Sequence, residues 1–150
     1  MPPRHVVLLL LGLAVSCRPA ARGDEVRYIS VKGGPPLPFS AAVRVGPLLY
    51  LSGQIGMDST GHLVPGGISA ETRQTLENIR AVLEHNGSSL DQVVRGTAML
   101  ADIHDWDAMN QVYVAYFPHH LPARSAFATA GLVFGARIEL ECTATVGGAS

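Results

Sequence analysis

The feature that most constrains the fold is an alternation of apolar and polar residues near the end of the chain, over residues 137–146. Ile138, Leu140, Cys142 and Val146 fall on one side of this segment, and charged or threonine side chains fall on the other. A repeat of two residues is the pattern of a β-strand with one buried face. The chain therefore has to build a sheet with at least one covered face.

Shorter patterns upstream predict further strands and two amphipathic helices. Both helices can cover the same face of one sheet with their apolar sides. The sequence thus predicts an α+β fold in the order β-β-β-α-β-α-β-β, a two-layer sandwich with a mixed sheet of about six strands and two helices on one face. The other sheet face stays uncovered, which suggests a partner subunit. The predicted strands are 26–32, 41–45, 48–55, 92–100, 124–130 and 137–146.

Capping residues indicate where the helices begin and end. Ser69 is a good N-cap for the first helix, and Asn86-Gly87 is a typical C-terminal stop. Glu71 would then lie in the first turn, where the helix dipole favours a negative charge. His104 or Asp105 is predicted to cap the second helix.

Composition excludes several classes of protein. Hydrophobic residues make up 47% and charged residues 15% of the chain, which excludes intrinsic disorder. The formal net charge is −1 with a single lysine, Lys32, so the basic surface that binds nucleic acid is not expected. Cys17 and Cys142 provide neither a disulfide framework nor zinc-ligand spacing. His119-His120 has no carboxylates at ligand spacing, so no metal site is predicted.

The N-terminal segment, residues 1–23, has the pattern of an export signal. Arg4 supplies the positive charge, and an apolar run over residues 6–15 follows it. This run is too short to span a bilayer, because a spanning helix needs about 20 residues. No membrane span is therefore predicted.

Two cleavage sites are compatible with this signal. Residues 14–17 resemble a relaxed bacterial lipobox, in which Cys17 would carry a lipid anchor. The other cut would follow Ala21. In both cases we expect the domain, residues 24–150, to be exported, either periplasmic or lipid-anchored. If the true protein starts near Asp24 instead, it would be cytoplasmic.

An acidic pair on the last predicted strand is a candidate for proton-transfer chemistry. Glu139 and Glu141 are two residues apart and so share one face of the strand. If they are partly buried, each raises the pKa of the other, which suits a general base. The plainer interpretation is a solvated strand face with ion pairs to Arg137 or a neighbouring residue.

Two polar residues at strand ends are further candidates. Arg124 lies between a helix stop and a strand, where a guanidinium can bind a carboxylate through two parallel hydrogen bonds. It could equally be a surface arginine. Ser52 lacks the G-x-S-x-G pattern of a nucleophile, so it is interpreted as a strand-end hydroxyl. The glycine pairs match no phosphate-binding fingerprint, so no cofactor is predicted.

Several short motifs together resemble the reactive-intermediate deaminase family (Rid, also called YjgF). They occur in the order and spacing of that family, from about Tyr28 to Val146. Each motif alone is moderately specific, whereas the ordered set is highly specific. The motifs are 38–40 (PFS), 51–55 (LSGQI), 71–78 (ETRQTLEN), 110–113 (NQVY), 122–125 (PARS) and 138–142 (IELEC).

The resemblance implies a chorismate-mutase-like α+β fold and a homotrimer in which three sheets face inward. It also implies sites in the clefts between subunits. Active members of the family hydrolyse 2-imino acids, the tautomers of enamines such as 2-aminoacrylate, to 2-oxo acids and ammonia. The expected substrates are 2-aminoacrylate, 2-iminopropanoate and 2-iminobutanoate, with no metal or organic cofactor.

The resemblance assigns roles to individual residues. Arg124 matches the arginine that binds the substrate carboxylate, and Glu139 matches the acidic residue that positions water. Ser52 and Asn110 match residues that line the cleft. Phe39 stands where the family often has a tyrosine, so an aromatic wall is kept and a hydroxyl is lost.

Two further departures and two alternative functions remain open. Leu37 replaces a common glycine, and Ala126 stands where a cysteine is frequent, so pocket size and substrate range could differ. One alternative is a non-enzymatic trimeric module that binds a small carboxylate metabolite. The other is a ribonuclease, a label that some relatives carry, although the near-neutral charge disfavours it.

Overall fold

The computed structural model describes residues 25–30 and 37–147. The elements follow one another in the predicted order, β-β-β-α-β-α-β-β. Short 3₁₀ turns precede β4, α2 and β6. The strands and helices are β1 (Val26–Ile29), β2 (Ala42–Val45), β3 (Leu48–Ile55), α1 (Gly67–His85), β4 (Val93–Leu100), α2 (Trp106–Ala115), β5 (Ala123–Ala128) and β6 (Ile138–Thr145).

The strands form one mixed sheet of six strands in the order β1-β2-β3-β6-β4-β5. Every neighbouring pair is antiparallel except β4 and β5, which run parallel because α2 connects them as a crossover. This arrangement confirms the predicted α+β sandwich. The export signal, the lipobox at Cys17 and the last two residues of the first predicted strand lie outside the described residues.

The core lies between one face of the sheet and the two helices. The predicted alternation over residues 137–146 is confirmed, since Ile138, Leu140, Cys142 and Ala144 of β6 are all buried. Helix α1 packs against β3 and β6 and also contacts α2. The side chains that the helices contribute to the core are Ile68, Leu76, Ile79, Leu83, Met109 and Tyr113.

The predicted start of the first helix was wrong by three residues, since the N-cap is Gly66 and not Ser69. Helix α1 begins at Gly67, preceded by Gly66 with φ 117° and ψ 8°, so glycine geometry and not a Ser69 side chain starts the helix. Gly67 itself has φ 71°, a value that other residues rarely adopt. As a consequence Glu71 is not in the first turn, and its side chain is buried.

The second helix also begins differently from the prediction. Asp105 does precede α2, but its side chain caps no helix N–H group. The side chain of Asp102 instead accepts a hydrogen bond from the backbone N–H of His104 and caps the 3₁₀ turn before the helix. The carboxylate of Asp105 is engaged elsewhere, by the guanidinium of Arg137.

None of the described residues covers the second face of the sheet. Tyr28, Tyr50 and Phe127 project from β1, β3 and β5 on this face with 75%, 44% and 47% of their surface exposed. Large exposed aromatic groups on one sheet face are typical of an interaction surface. Among the described residues, no helix is long and apolar enough to cross a membrane.

Candidate active site

Arg124 is the second residue of β5, and its side chain points toward helix α2. Its Nη2 donates a hydrogen bond of 2.5 Å to Oδ1 of Asn110, and its Nη1 lies 3.6 Å from the sulfur of Met109. The guanidinium carbon lies 4.4 Å from the ring centroid of Tyr113 and 5.5 Å from that of Trp106. We call these residues, Arg124, Asn110, Tyr113 and Trp106, the arginine cluster.

The arginine cluster opens into a cleft of about 300 Å³. Apart from Arg124 and Asn110, its lining is aromatic or aliphatic. No ion pair among the described residues involves Arg124, so its charge is available to a ligand. Burial raises the pKa of Tyr113 to about 12, so this phenol stays neutral beside the cation. A lone guanidinium in an apolar cleft is suited to binding a small carboxylate. The other lining residues are Val114, Leu121, Pro122 and Ala126.

Glu139 lies near the start of β6, where it pairs with Ile55 of β3 on one side and Met99 of β4 on the other. Its side chain is half-buried. Burial raises the pKa of Glu139, and the charge of Glu141 on the same strand face raises it further. A carboxylate with a raised pKa is a better proton acceptor than an ordinary one, as a general base requires.

The side chain of Glu139 lies directly over the backbone of Gly53 in β3. A Cβ atom at Gly53 would overlap the Glu139 carboxyl group, so glycine is required for this contact. The register of β3 against β6 shifts between Leu51 and Gln54, which places Ser52 and Gly53 in a bulge. Bulges often occur beside active sites because they redirect strand residues.

Ser52 lies inside β3, in the bulge, and not at a strand end as interpreted from the sequence. Its Oγ donates a hydrogen bond of 2.7 Å to the backbone oxygen of Ser40 and so ties the segment that carries Phe39 to β3. Phe39 itself is 55% exposed. We call Glu139 and Gly53, together with Ser52 and Phe39, which the chain and this hydrogen bond connect to Gly53, the glutamate cluster.

The two clusters lie on opposite faces of the sheet. Arg124 shares a cross-strand row with Gly96 and the buried Cys142, so it points to the helix side. Glu139 is three residues from Cys142 and therefore points to the uncovered side. Because the sheet separates the two side chains, one small molecule cannot contact both within a single chain. A site that uses both needs a second copy of the chain.

The remaining sequence predictions have mixed outcomes. Arg137 does not pair with Glu139 or Glu141, since its guanidinium binds Asp105 at 2.8 Å. Ala126 lines the cleft of the arginine cluster, whereas Leu37 lies in an exposed position before β2. The part of the chain that the structure describes contains no group of three or more side chains able to hold a metal.

Sequence reasoning missed several residues that the structure places at these clusters. No role at a site was predicted for Tyr113 or Trp106, although their rings flank the guanidinium of Arg124. Gly53 could have been identified from the sequence, because an isolated glycine inside a strand pattern indicates a bulge or the close approach of another group to the backbone.

Comparison with known proteins agrees with this α+β fold, which is that of a small-molecule-binding family. The profile of the family described as Endoribonuclease L-PSP matches residues 34–146. The 2-iminobutanoate/2-iminopropanoate deaminase of Rattus norvegicus is 46% identical over 110 residues, which are 73% of this chain and 80% of the rat protein. The Homo sapiens deaminase of the same name is 45% identical over 111 residues, 73% of this chain and 81% of its own.

A solved structure supports the same conclusion. The YjgF gene product from E. coli superimposes with a TM-score of 0.72 at 32% identity, covering 79% of this chain and 98% of that protein. The chain therefore belongs to the Endoribonuclease L-PSP family, which is the Rid or YjgF family that its motifs resemble. The relatives confirm the predicted enzyme class, a Rid-type deaminase.

Proposed function

We propose that this protein hydrolyses 2-imino acids and their enamine tautomers to 2-oxo acids and ammonia. The substrates would be 2-aminoacrylate, 2-iminopropanoate and 2-iminobutanoate. The observation that carries the proposal is the unpaired guanidinium of Arg124, held by Asn110 in an apolar cleft. The names of the rat and human relatives support the same substrate class.

The proposed mechanism divides the work between two groups. Arg124 binds the substrate carboxylate through two parallel hydrogen bonds and so fixes the position of the imine carbon. Glu139 accepts a hydrogen bond from a water molecule and takes its proton as the oxygen attacks that carbon. Glu139 returns this proton to the nitrogen, which gives the carbinolamine. The carbinolamine hydroxyl proton then passes through Glu139 to the nitrogen as the C–N bond breaks, so the carbonyl of the 2-oxo acid forms and ammonia leaves. A general base typically contributes about 10²–10⁴-fold, which is adequate because imines also hydrolyse unaided in water.

We further propose that the active protein is a homotrimer whose sites combine Arg124 of one subunit with Glu139 of the next. Two observations support this assembly. The two residues lie on opposite faces of the sheet, and the face that carries Glu139 exposes Tyr28, Tyr50 and Phe127. A closed ring of identical subunits would cover this face and bring the two clusters together.

The catalytic part of the proposal is tested by a coupled assay. An amino-acid oxidase generates 2-iminopropanoate or 2-iminobutanoate in the presence of semicarbazide, which traps the imine. The unaltered protein is expected to suppress trapping, and Arg124→Ala is expected to abolish suppression. Arg73→Ala, an exposed arginine on α1, is the control and should behave as the unaltered protein. Undiminished activity of Arg124→Ala would show that the proposed mechanism is wrong.

If the unaltered protein fails to suppress trapping, the deaminase proposal is wrong. Calorimetric titration with 2-oxobutanoate then tests the alternative of a non-enzymatic carboxylate-binding module. Binding that is lost in Arg124→Ala would support that alternative.

The assembly is tested by mixing two inactive variants. Arg124→Ala and Glu139→Gln subunits, co-expressed with different tags, should restore about one quarter of full activity, because each cluster is intact in about half of the subunits. Mixed oligomers that remain inactive would show that the two residues do not act across subunits. Each variant purified alone provides the background.

A further inference from the structure

Glu71 is a buried carboxylate that the proposed mechanism does not use. Only 6% of its surface is exposed. Its Oε2 accepts a hydrogen bond of 2.8 Å from the backbone N–H of Arg137, which lies 66 residues further along the chain. Burying a charged carboxylate is unfavourable unless hydrogen bonds compensate it. A buried glutamate that binds one distant backbone group therefore calls for a specific explanation.

Arg137 directly precedes β6 and is held from three sides. Its backbone N–H is bound by Glu71, and its backbone oxygen accepts a hydrogen bond of 3.0 Å from the N–H of Ala101. Its guanidinium donates two hydrogen bonds of 2.9 Å to Asp105. The start of β6 is thus fixed two residues before Glu139.

Helix α1, which carries Glu71, also holds the end of β3. Nδ2 of Asn78 donates hydrogen bonds to the backbone oxygens of Ile55 and Met57 at 3.0 Å and 2.9 Å. Gly56, between them, packs so closely on α1 that a Cβ atom there would lie 2.7 Å from the Cα of Glu71. Helix α1 therefore fixes the end of β3 and the start of β6, which are joined by the Ile55–Glu139 pair.

We propose that Glu71 is a positioning residue that holds the start of β6 so that the carboxylate of Glu139 stays over Gly53. The proposal rests on the function proposed above, in which Glu139 orients the attacking water. Glu71 contacts neither substrate nor water and acts only through the backbone of Arg137. A displacement of Glu139 by about 1 Å can reduce a rate by about 100-fold, so anchoring of this kind matters for catalysis.

The test uses a graded pair of variants. Glu71→Leu removes the acceptor and leaves the Arg137 N–H without a partner, whereas Glu71→Gln keeps an acceptor oxygen at the same place. We expect kcat/KM to fall about 10-fold or more in Glu71→Leu and to recover most of that loss in Glu71→Gln. The Kd for 2-oxobutanoate should stay within about two-fold, since the arginine cluster is untouched. Glu84→Leu, an exposed glutamate on the same helix, is the matched control.

The pH profile separates positioning from simple destabilisation. Burial and the charge of Glu141 raise the pKa of Glu139, so a carboxylate that leaves its place over Gly53 titrates at lower pH. The acid limb of kcat/KM should therefore move to lower pH in Glu71→Leu and stay in place in Glu84→Leu. Should Glu71→Leu fail to fold, Asp105→Asn, which loosens Arg137 from the other side, should show the same shift with a smaller fall in rate.

The outcomes distinguish this inference from the function on which it rests. An inactive unaltered protein, or a fully active Glu139→Gln, would remove the proposed role of Glu139 itself. If Glu139→Gln is inactive but folded Glu71→Leu and Asp105→Asn keep the original rate and acid limb, the positioning role is wrong. Equal losses of kcat/KM and of 2-oxobutanoate binding would also overturn it, because they indicate general damage to the fold.

Discussion

The arginine cluster and the glutamate cluster are built in different ways. Arg124 is held by side chains, an amide at 2.5 Å and two aromatic rings, all from helix α2. Glu139 is held by the backbone, between two neighbouring strands and over a glycine in a bulge. The difference suits two tasks, because binding needs a shaped cleft around a fixed charge, whereas proton transfer needs an exact position and a shifted pKa.

Among variants that keep both charged groups, the largest effect is expected from Gly53→Ala, which disturbs the glutamate cluster alone. The new Cβ would overlap the Glu139 carboxyl group and push it aside, while the strand itself has no need to move. We expect kcat/KM to fall about 100-fold, the scale associated with a misplaced catalytic group, with 2-oxobutanoate binding retained. The coupled assay and calorimetry measure these two quantities.

Gly96→Ala is the matched control for that variant. A Cβ at Gly96, also within a strand, would lie 3.5 Å from the backbone oxygen of Glu141 and 3.6 Å from the Tyr113 hydroxyl, which are ordinary contacts. It should therefore have little effect on the rate. Equal rates for Gly53→Ala and Gly96→Ala would contradict the placement of the reactive carboxylate over Gly53.

A smaller effect is expected from Asn110→Ala, which alters the arginine cluster alone. The variant removes the hydrogen bond that orients the guanidinium, and hydrogen bonds to charged groups contribute about 1.5–3 kcal/mol. We expect the Kd for 2-oxobutanoate to rise about 10-fold or more, with the acid limb of the pH profile unchanged. Asn110→Asp should weaken binding further, because its carboxylate would pair with Arg124 and compete with the ligand. Unchanged binding in both variants would mean that Asn110 does not prepare the arginine.

The smallest effect is a pH shift in Glu141→Gln. The charge of Glu141 raises the pKa of Glu139, so its removal lowers that pKa. Protonation of the base then begins at lower pH, and the acid limb of kcat/KM should move to lower pH with the plateau rate nearly constant. A rate profile over a range of pH values measures the shift. An unmoved acid limb would indicate that a group other than Glu139 titrates.

Local patterns in the sequence were sufficient to predict the order of elements and the buried face of β6. The alternation over residues 137–146 depends only on the hydrophobicity of each residue, so it can be recognised without knowledge of the neighbouring strands. The start of α1 was predicted wrongly because serine is a residue type that favours the N-cap position. In the structure, glycines at positive φ form the turn that leads into the helix. The capping role of Asp102 was not predicted, because several polar residues before α2 could each act as the cap.

The candidate residues were predicted by type and motif, but their arrangement was not. The resemblance implied sites between subunits but not which sheet face carries each residue, and the structure places Arg124 on the helix-covered face and Glu139 on the other. The role of Glu71 was not predicted because the group that it binds, the backbone N–H of Arg137, is distant in the sequence. No local pattern reports a contact of that kind.

The sequence by itself determined which segments are strands and helices, which faces are apolar, and which charged side chains exist to bind or transfer protons. Those properties follow from hydrophobicity and backbone preference, and both act over a few residues. Only the tertiary structure decided that β5 pairs in parallel with β4 in the register Gly96–Arg124, which directs the arginine toward α2. It also decided that Glu139 crosses Gly53 on the uncovered face. Register depends on strand pairs far apart in the chain, and a shift of one residue would reverse every side chain.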